Sequence, residues 1–142
     1  MILNIYTDAS TLVHDDNLSG VGVVVTIDGE IFKTIGQHVG YMNIIDAELI
    51  AMVIGLKEAE DVCSASQEPV TLIRIISDCM SALDLATGEG TTKSDLTWQI
   101  LDKIDDLCNR TDTPVEFQWV KAHNGNQYNE IADSLAYEHA HN

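Results

Sequence analysis

Val70-Thr71-Leu72-Ile73-Arg74-Ile75-Ile76 decides the fold, being a nearly continuous apolar run of strand length and of the kind buried on both faces of a sheet. Polar residues Ser64 to Pro69 separate it from a helical pattern, in which Ile45, Leu49, Met52, Val53, Leu56 and Ala59 recur at helical spacing. Lys57, Glu58 and Glu60 take the opposite face. A helix feeding a doubly buried strand implies a parallel crossover and an α/β architecture.

Working upstream, Ile2 to Thr7 reads as a strand that runs into a loop at Asp8-Ala9-Ser10. Gly20 to Ile27 is a second strand, Asp28-Gly29 is a strong two-residue hairpin signal, and Ile31 to Val39 returns. The chain therefore opens with three antiparallel strands. Downstream, Met80 to Ala86 is a short helix stopped by Gly88-Glu89-Gly90. Thr92 or Ser94 then caps a longer helix whose apolar stripe is Leu96, Ile100, Leu101, Ile104 and Leu107. Beyond Pro114, Val115 to Val120 alternates with period two, and Asn129 to Ala140 is a last helix with Ile131, Leu135 and Ala136 inward. The order is βββαβααβα, which predicts one domain over residues 1–142.

At 142 residues, 45% hydrophobic and 21% charged, the chain suits a single core. Its apolar runs are short and interrupted, so the expectation is neither a spanning helix nor a secretory leader, a cytoplasmic location and no membrane partner. Cys63, Cys79 and Cys108 are odd in number and lack C-x-x-C spacing, which favours structural thiols over disulfides or a zinc knuckle. The 23 acidic and 7 basic residues give a net charge of −16. Such a surface repels a phosphate backbone at long range and disfavours a general nucleic-acid-binding module. Clustered carboxylates are the exception, because a bound divalent cation inverts the local sign.

Asp8 and Asp78 each follow a strand that this topology places centrally, where ligands gather beyond the carboxyl ends of parallel strands. Adjacent strands lie about 4.8 Å apart, so the two carboxylates can share a cation. Glu48 at the start of the first long helix and Asp133 in the last could complete a cluster for a pair of hard divalent ions.

The ordered blocks Ile5-Tyr6-Thr7-Asp8-Ala9-Ser10, Ala47-Glu48-Leu49-Ile50-Ala51 with Gly55-Leu56, Ser77-Asp78-Cys79, Trp119 to Gly125 and Asn129-Glu130-Ile131-Ala132-Asp133 resemble type 1 ribonuclease H across nearly the whole chain. The resemblance implies a five-stranded mixed sheet flanked by helices and hydrolysis of the RNA strand of an RNA/DNA hybrid, leaving 5′-phosphate and 3′-hydroxyl ends. It also implies two Mg²⁺ ions, with Mn²⁺ as a substitute. By the same resemblance Asp8 bridges the ions, Glu48 and Asp78 hold the one on the leaving-group side, and Asp133 holds the one that activates water. His123 shuttles a proton or assists product release, and Ser10, Asn43 and Asn129 are candidate substrate contacts, with Asn129 also shaping the loop before the last helix.

The departures from the family pattern concern substrate grip. Ile44 and Ile45 stand where the family often has two asparagines, leaving Asn43 nearby, and the Ala-Glu-Leu-Ile-Ala segment resembles domains attached to retroviral polymerases. The basic protrusion of some members has no counterpart, since Gly88 to Asp95 offers only Lys93. Weak hybrid binding is expected, offset by high salt or by a basic protein partner. Two other readings use the same fold: a non-catalytic interaction module, and a related nuclease acting on DNA. Intact carboxylates count against the first, and His123 with Asp133 against the second. His14-Asp15-Asp16 and His139-Ala140-His141 are weak metal signals, and Trp98 and Trp119 read as core or interface aromatics.

Overall fold

The computed structural model describes residues 1–141. The elements are β1 (Ile2–Leu12), β2 (Leu18–Ile27), β3 (Glu30–Tyr41), α1 (Ile44–Ala65), β4 (Leu72–Ser77), α2 (Met80–Ala86), α3 (Asp95–Arg110), β5 (Val115–Trp119) and α4 (Gln127–Ala140), with a single 3₁₀ turn at Val13–Asp15. They form one sheet in the order β3-β2-β1-β4-β5. The first three strands pair antiparallel, and β1 with β4 and β4 with β5 pair parallel, as the sequence predicts. Asp28 (φ 49°) and Gly29 (φ 87°) both adopt the left-handed conformation that a type I′ turn requires, which sets the register of the β2–β3 hairpin.

Alternation along the strands splits the interior into two layers. Leu3, Ile5, Val21, Val23, Val25, Ile73 and Ile75 join α1, α2 and α3 on one face, while Tyr6, Val24 and Ile76 meet Ala132 of α4 on the other. Helix α1 is buried along most of the stretch from Asp46 to Val62, with Lys57 and Asp61 left exposed, because it lies between the sheet and α3. No helix among the described residues is long and apolar enough to cross a membrane.

Four expectations need correction. Strand β1 does not end at Thr7. Antiparallel pairing with β2 continues from Asp8↔Gly22 to Leu12↔Leu18, so Asp8, Ala9 and Ser10 are strand residues rather than loop. Leu96 is exposed and Thr97 takes the buried position at the start of α3, because its hydroxyl donates to the buried Asp46 carboxylate at 2.6 Å. Trp98 and Trp119 are each about half exposed (50% and 46%), which removes the core option and leaves the interface one. In α4 the deeply buried positions are Ala132, Ala136 and Ala140, with Ile131 and Leu135 only partly covered.

The α4 result has a simple steric cause. A side chain on Gly20 would come within 2.6 Å of the Ala136 carbonyl oxygen, and one on Gly22 would run into the Ala132 carbonyl. At these two positions of β2 the helix and sheet backbones therefore meet through glycine on one side and alanine on the other, with no large side chain between them. This seam fixes how far Asp133 sits from β1. Gly22→Val is expected to cost about 3 kcal/mol, the upper end for overpacking where the obstacle is backbone. A lower urea midpoint at unchanged m would register it, and a midpoint equal to wild type would show that α4 can lift without penalty.

Candidate active site

The parallel pairing of β1 with β4 ends at Tyr6↔Ile76, whereas β1 continues alongside β2. The two central strands thus part company, leaving backbone groups on the open edge of β1 without a strand partner. The Ala9 N–H points into this fork and donates to Glu48 Oε1 at 2.8 Å and to Asp8 Oδ1 at 2.9 Å. Glu48 reaches the fork because it lies in the first turns of α1, whose N-terminus is held by Asn43. The Asn43 Oδ1 accepts from the Asp46 N–H (2.8 Å) and its Nδ2 donates to the Asp46 carboxylate (3.1 Å). Asn43 is therefore engaged as a helix cap at both ends of its amide.

On the β4 side, the Ser77 hydroxyl accepts from the Cys79 N–H at 3.0 Å and lies 3.5 Å from Glu48 Oε2. That pair of contacts bends the chain out of β4 and presents Asp78, while the Trp119 indole N–H donates to the Asp78 carbonyl at 3.2 Å. Carboxylate oxygens of Asp8, Glu48 and Asp78 consequently lie within 4.8 Å of one another. Asp133, carried by α4, adjoins Asp8 and Asp78 closely enough to influence both. A second group shares this border: His123, Glu130 and Asp133 also place one ligand atom each within 4.8 Å.

Sequence reasoning thus selected acids that do converge, and it assigned no role to Ser77 or Glu130. The dipeptide Ser77-Asp78 at a strand end was the available signal for the first. Asn129 is buried beside Asp78, and its Oδ1 has no hydrogen-bond partner among the described residues. Ser10 follows Asp8 at period two and so shares its face of β1, partly buried. His123 stands on the β5–α4 loop at φ 53° and is 71% exposed. Neither His14 nor the pair His139 and His141 joins a three-ligand group among the described residues.

Burial is the main reason that Asp8 and Glu48 bind protons far more tightly than ordinary carboxyls. For Asp8 the negative charges of Glu48 and Asp78 push in the same direction. For Glu48 the hydrogen bonds from Asp8, Ala9 and Ser77 partly oppose the rise. Asp78 is also shifted upward, by burial first, with Asn129 opposing and the Asp133 charge adding. Among the described residues no ion pair engages any of these four acids. A set of hard oxygen donors at this spacing, short of positive charge, suits hard divalent cations.

Comparisons with known proteins agree with this geometry. The family model for RNase H matches residues 2–141. No curated protein matches the chain. Among solved structures, RNase H1 from the halophilic archaeon Halobacterium salinarum superposes with a TM-score of 0.81 at 22% identity, covering 98% of this chain and 97% of that one. LC11-RNase H1, determined in complex with an RNA/DNA hybrid, gives 0.81 at 18% identity over 96% and 94%. The RNase H domain of PFV gives 0.74 at 19% identity over 98% and 94%. At these identities the structural likeness establishes the shared fold.

The crowding of acids sets a pH dependence for the metal-free protein. Unfolded, Asp8 and Glu48 ionise near pH 4, whereas folded they keep their protons to well above that. The folded state then binds more protons, so this contribution to stability is complete below about pH 4 and is lost as pH rises through the folded values. Melting in a chelator is expected to fall from pH 5 to pH 8, and Asp8→Asn is expected to raise the pH 8 melting temperature by about 3 to 6 °C. Mg²⁺ should raise wild-type melting and leave the variant nearly unchanged. Calorimetry showing a flat pH profile and no Mg²⁺ response would contradict the repulsion described here.

Proposed function

The chain belongs to the RNase H family, and from that membership we propose that it hydrolyses the RNA strand of RNA/DNA hybrids with two divalent cations, leaving 5′-phosphate and 3′-hydroxyl ends. The observation that carries this reading is the meeting of Asp8, Glu48 and Asp78 at the fork between β1 and β4, with Asp133 alongside. In this reading Asp8 would serve both cations, Glu48 and Asp78 would hold the one that stabilises the departing 3′ oxygen, and Asp133 would hold the one that activates water. When bound, Mg²⁺ or Mn²⁺ supplies Lewis acidity at both the attacking and the leaving oxygen of an in-line displacement. Ser77 and the Ala9 N–H hold the Glu48 carboxylate in the fork, where it would orient toward a bound cation. His123, exposed on its loop, moves protons at the edge of the site or eases product departure. No side-chain nucleophile is required, so none of Ser10, Thr7 and Cys79 needs to attack.

Hybrid affinity has to be reconciled with a net charge of −16. Of the 7 basic residues, Lys33, Arg74, Lys103 and Arg110 are engaged by Glu58, Glu116, Asp106 and Glu60 respectively. Lys57, Lys93 and Lys121 make no ion pair among the described residues, and Lys121 lies on the loop that carries His123. So few available cations support weak binding to the duplex, strengthened by a basic protein partner or used under salt that screens the repulsion.

The test is cleavage of an end-labelled RNA/DNA hybrid in Mg²⁺ and in Mn²⁺ across a salt series. Wild type is expected to cut the RNA strand only, and Asp78→Asn to cut it at least about a thousandfold more slowly with an unchanged circular dichroism spectrum. A fully active, folded Asp78→Asn protein would remove the assignment. Cleavage of duplex DNA in preference to the hybrid would replace it with the DNA-acting alternative.

A further inference from the structure

We propose that Glu130 is a positioning residue for His123, its carboxylate holding the imidazole through Nδ1 so that Nε2 is turned toward the substrate. The inference rests on the ribonuclease reading above and concerns a residue that reading leaves without a task. Its starting point is a mismatch between precision and support. A proton-moving imidazole has to be oriented to within hydrogen-bond reach of the group it serves. Yet His123 is 71% exposed, so packing does not fix its ring.

The backbone at His123 is constrained all the same. Its φ of 53° lies in the left-handed region, which non-glycine residues adopt at a cost and keep only where the surroundings dictate it. Glycine follows two residues later, at Gly125, so the loop has a cheaper place for that conformation and uses it as well. The left-handed turn brings His123 Nδ1 to 3.8 Å from Glu130 Oε1. An approach closer by about 1 Å would turn that contact into a charge-assisted hydrogen bond.

Glu130 is well placed to serve as an anchor. It sits in the first turn of α4, where a negative charge is favoured by the helix dipole. Asn126 caps that turn by accepting from the Tyr128 and Asn129 N–H groups at 3.1 and 3.0 Å. The same helix is seated on β2 through Ala132 and Ala136. The loop histidine therefore leans on a rigid element rather than on another loop. Position matters too: Glu130 and Asp133 are i and i+3 on one helical face, and both lie within reach of His123. With Glu130 occupying Nδ1, the imidazole is kept from pairing with Asp133, whose oxygens stay available to a cation.

A carboxylate on Nδ1 selects the tautomer protonated there, which leaves Nε2 as the lone-pair nitrogen. That gives a readout independent of cleavage. In ¹⁵N-edited spectra of the histidine side chains, wild-type His123 is expected to show the Nδ1–H pattern, and Glu130→Ala to show loss of that preference. In single-turnover cleavage Glu130→Ala is expected to lower the rate about tenfold while leaving KM for hybrid unchanged. Glu130→Gln, whose amide oxygen still accepts from Nδ1–H, should recover most of the rate. In a His123→Ala background, Glu130→Ala should have no further effect.

Additive losses in the double variant, or an unaltered His123 tautomer in Glu130→Ala, would overturn the proposal. So would a Glu130→Ala protein with a diminished Mg²⁺-induced melting shift, since that outcome makes Glu130 a cation ligand. Failure of the wider reading is separate: it is scored by Asp78→Asn, and the tautomer measurement is taken without substrate.

Discussion

Buried carboxylates that repel one another cannot gather spontaneously, and the architecture of this protein is organised around forcing them to. The central pair of parallel strands supplies the opportunity by separating after Tyr6 and Ile76, and one backbone N–H at Ala9 supplies the attachment. Glu48 arrives from a helix packed on the sheet, Asp78 from the bend enforced by Ser77, and Asp133 from a helix on the opposite face. Each acid is held by hydrogen bonds or packing formed outside the group of acids, so the folding energy of the two layers opposes their repulsion. The cluster is destabilising by itself and tolerable only because it is small and surrounded by a closely packed core.

The distribution of charge follows the same division of labour. Basic residues are few, and most are used in exposed pairs such as Lys33 with Glu58 and Arg110 with Glu60, which contribute little to stability. Their main effect is to neutralise acids locally on α1, α3 and β5. None of those pairs reaches the four acids of the site, a condition that draws divalent cations and holds off polyanions until those cations are in place.

Much of this was legible in the sequence because the relevant signals are local. The Asp28-Gly29 turn needs residues that accept positive φ, and the apolar run before Asp78 needs burial on both faces, so both can be read without knowing their neighbours. The spacing of Glu48 within its helix is equally local. What escaped was relational. Strand β1 outlasts its expected end because β2 continues to pair with it, a fact about two segments at once. Leu96 was placed inward by periodicity, yet the buried Asp46 needed a donor and Thr97 provided one. Glu130 looked like any other surface acid among 23, and only the left-handed turn at His123 gives it a neighbour. Trp98 and Trp119 were read as core or interface aromatics, and the core half of that reading fails because each spends its indole N–H on a loop carbonyl at the surface.

The meeting of α4 with the sheet through bare backbone has an evolutionary corollary. Because Gly20 and Gly22 face Ala132, Ala136 and Ala140, the helix's depth is dictated by atoms that every amino acid shares and by the smallest side chains available. Its outward residues, Ser134, Tyr137 and Glu138, take no part in that seating. Lineages meeting different ionic surroundings can therefore recolour the outside of the helix, adding or removing charge, while the acid it delivers stays where it is. Depth is set on the sheet side of the rod, while Tyr137, one turn beyond Asp133, marks where solvent adaptation and chemistry come closest.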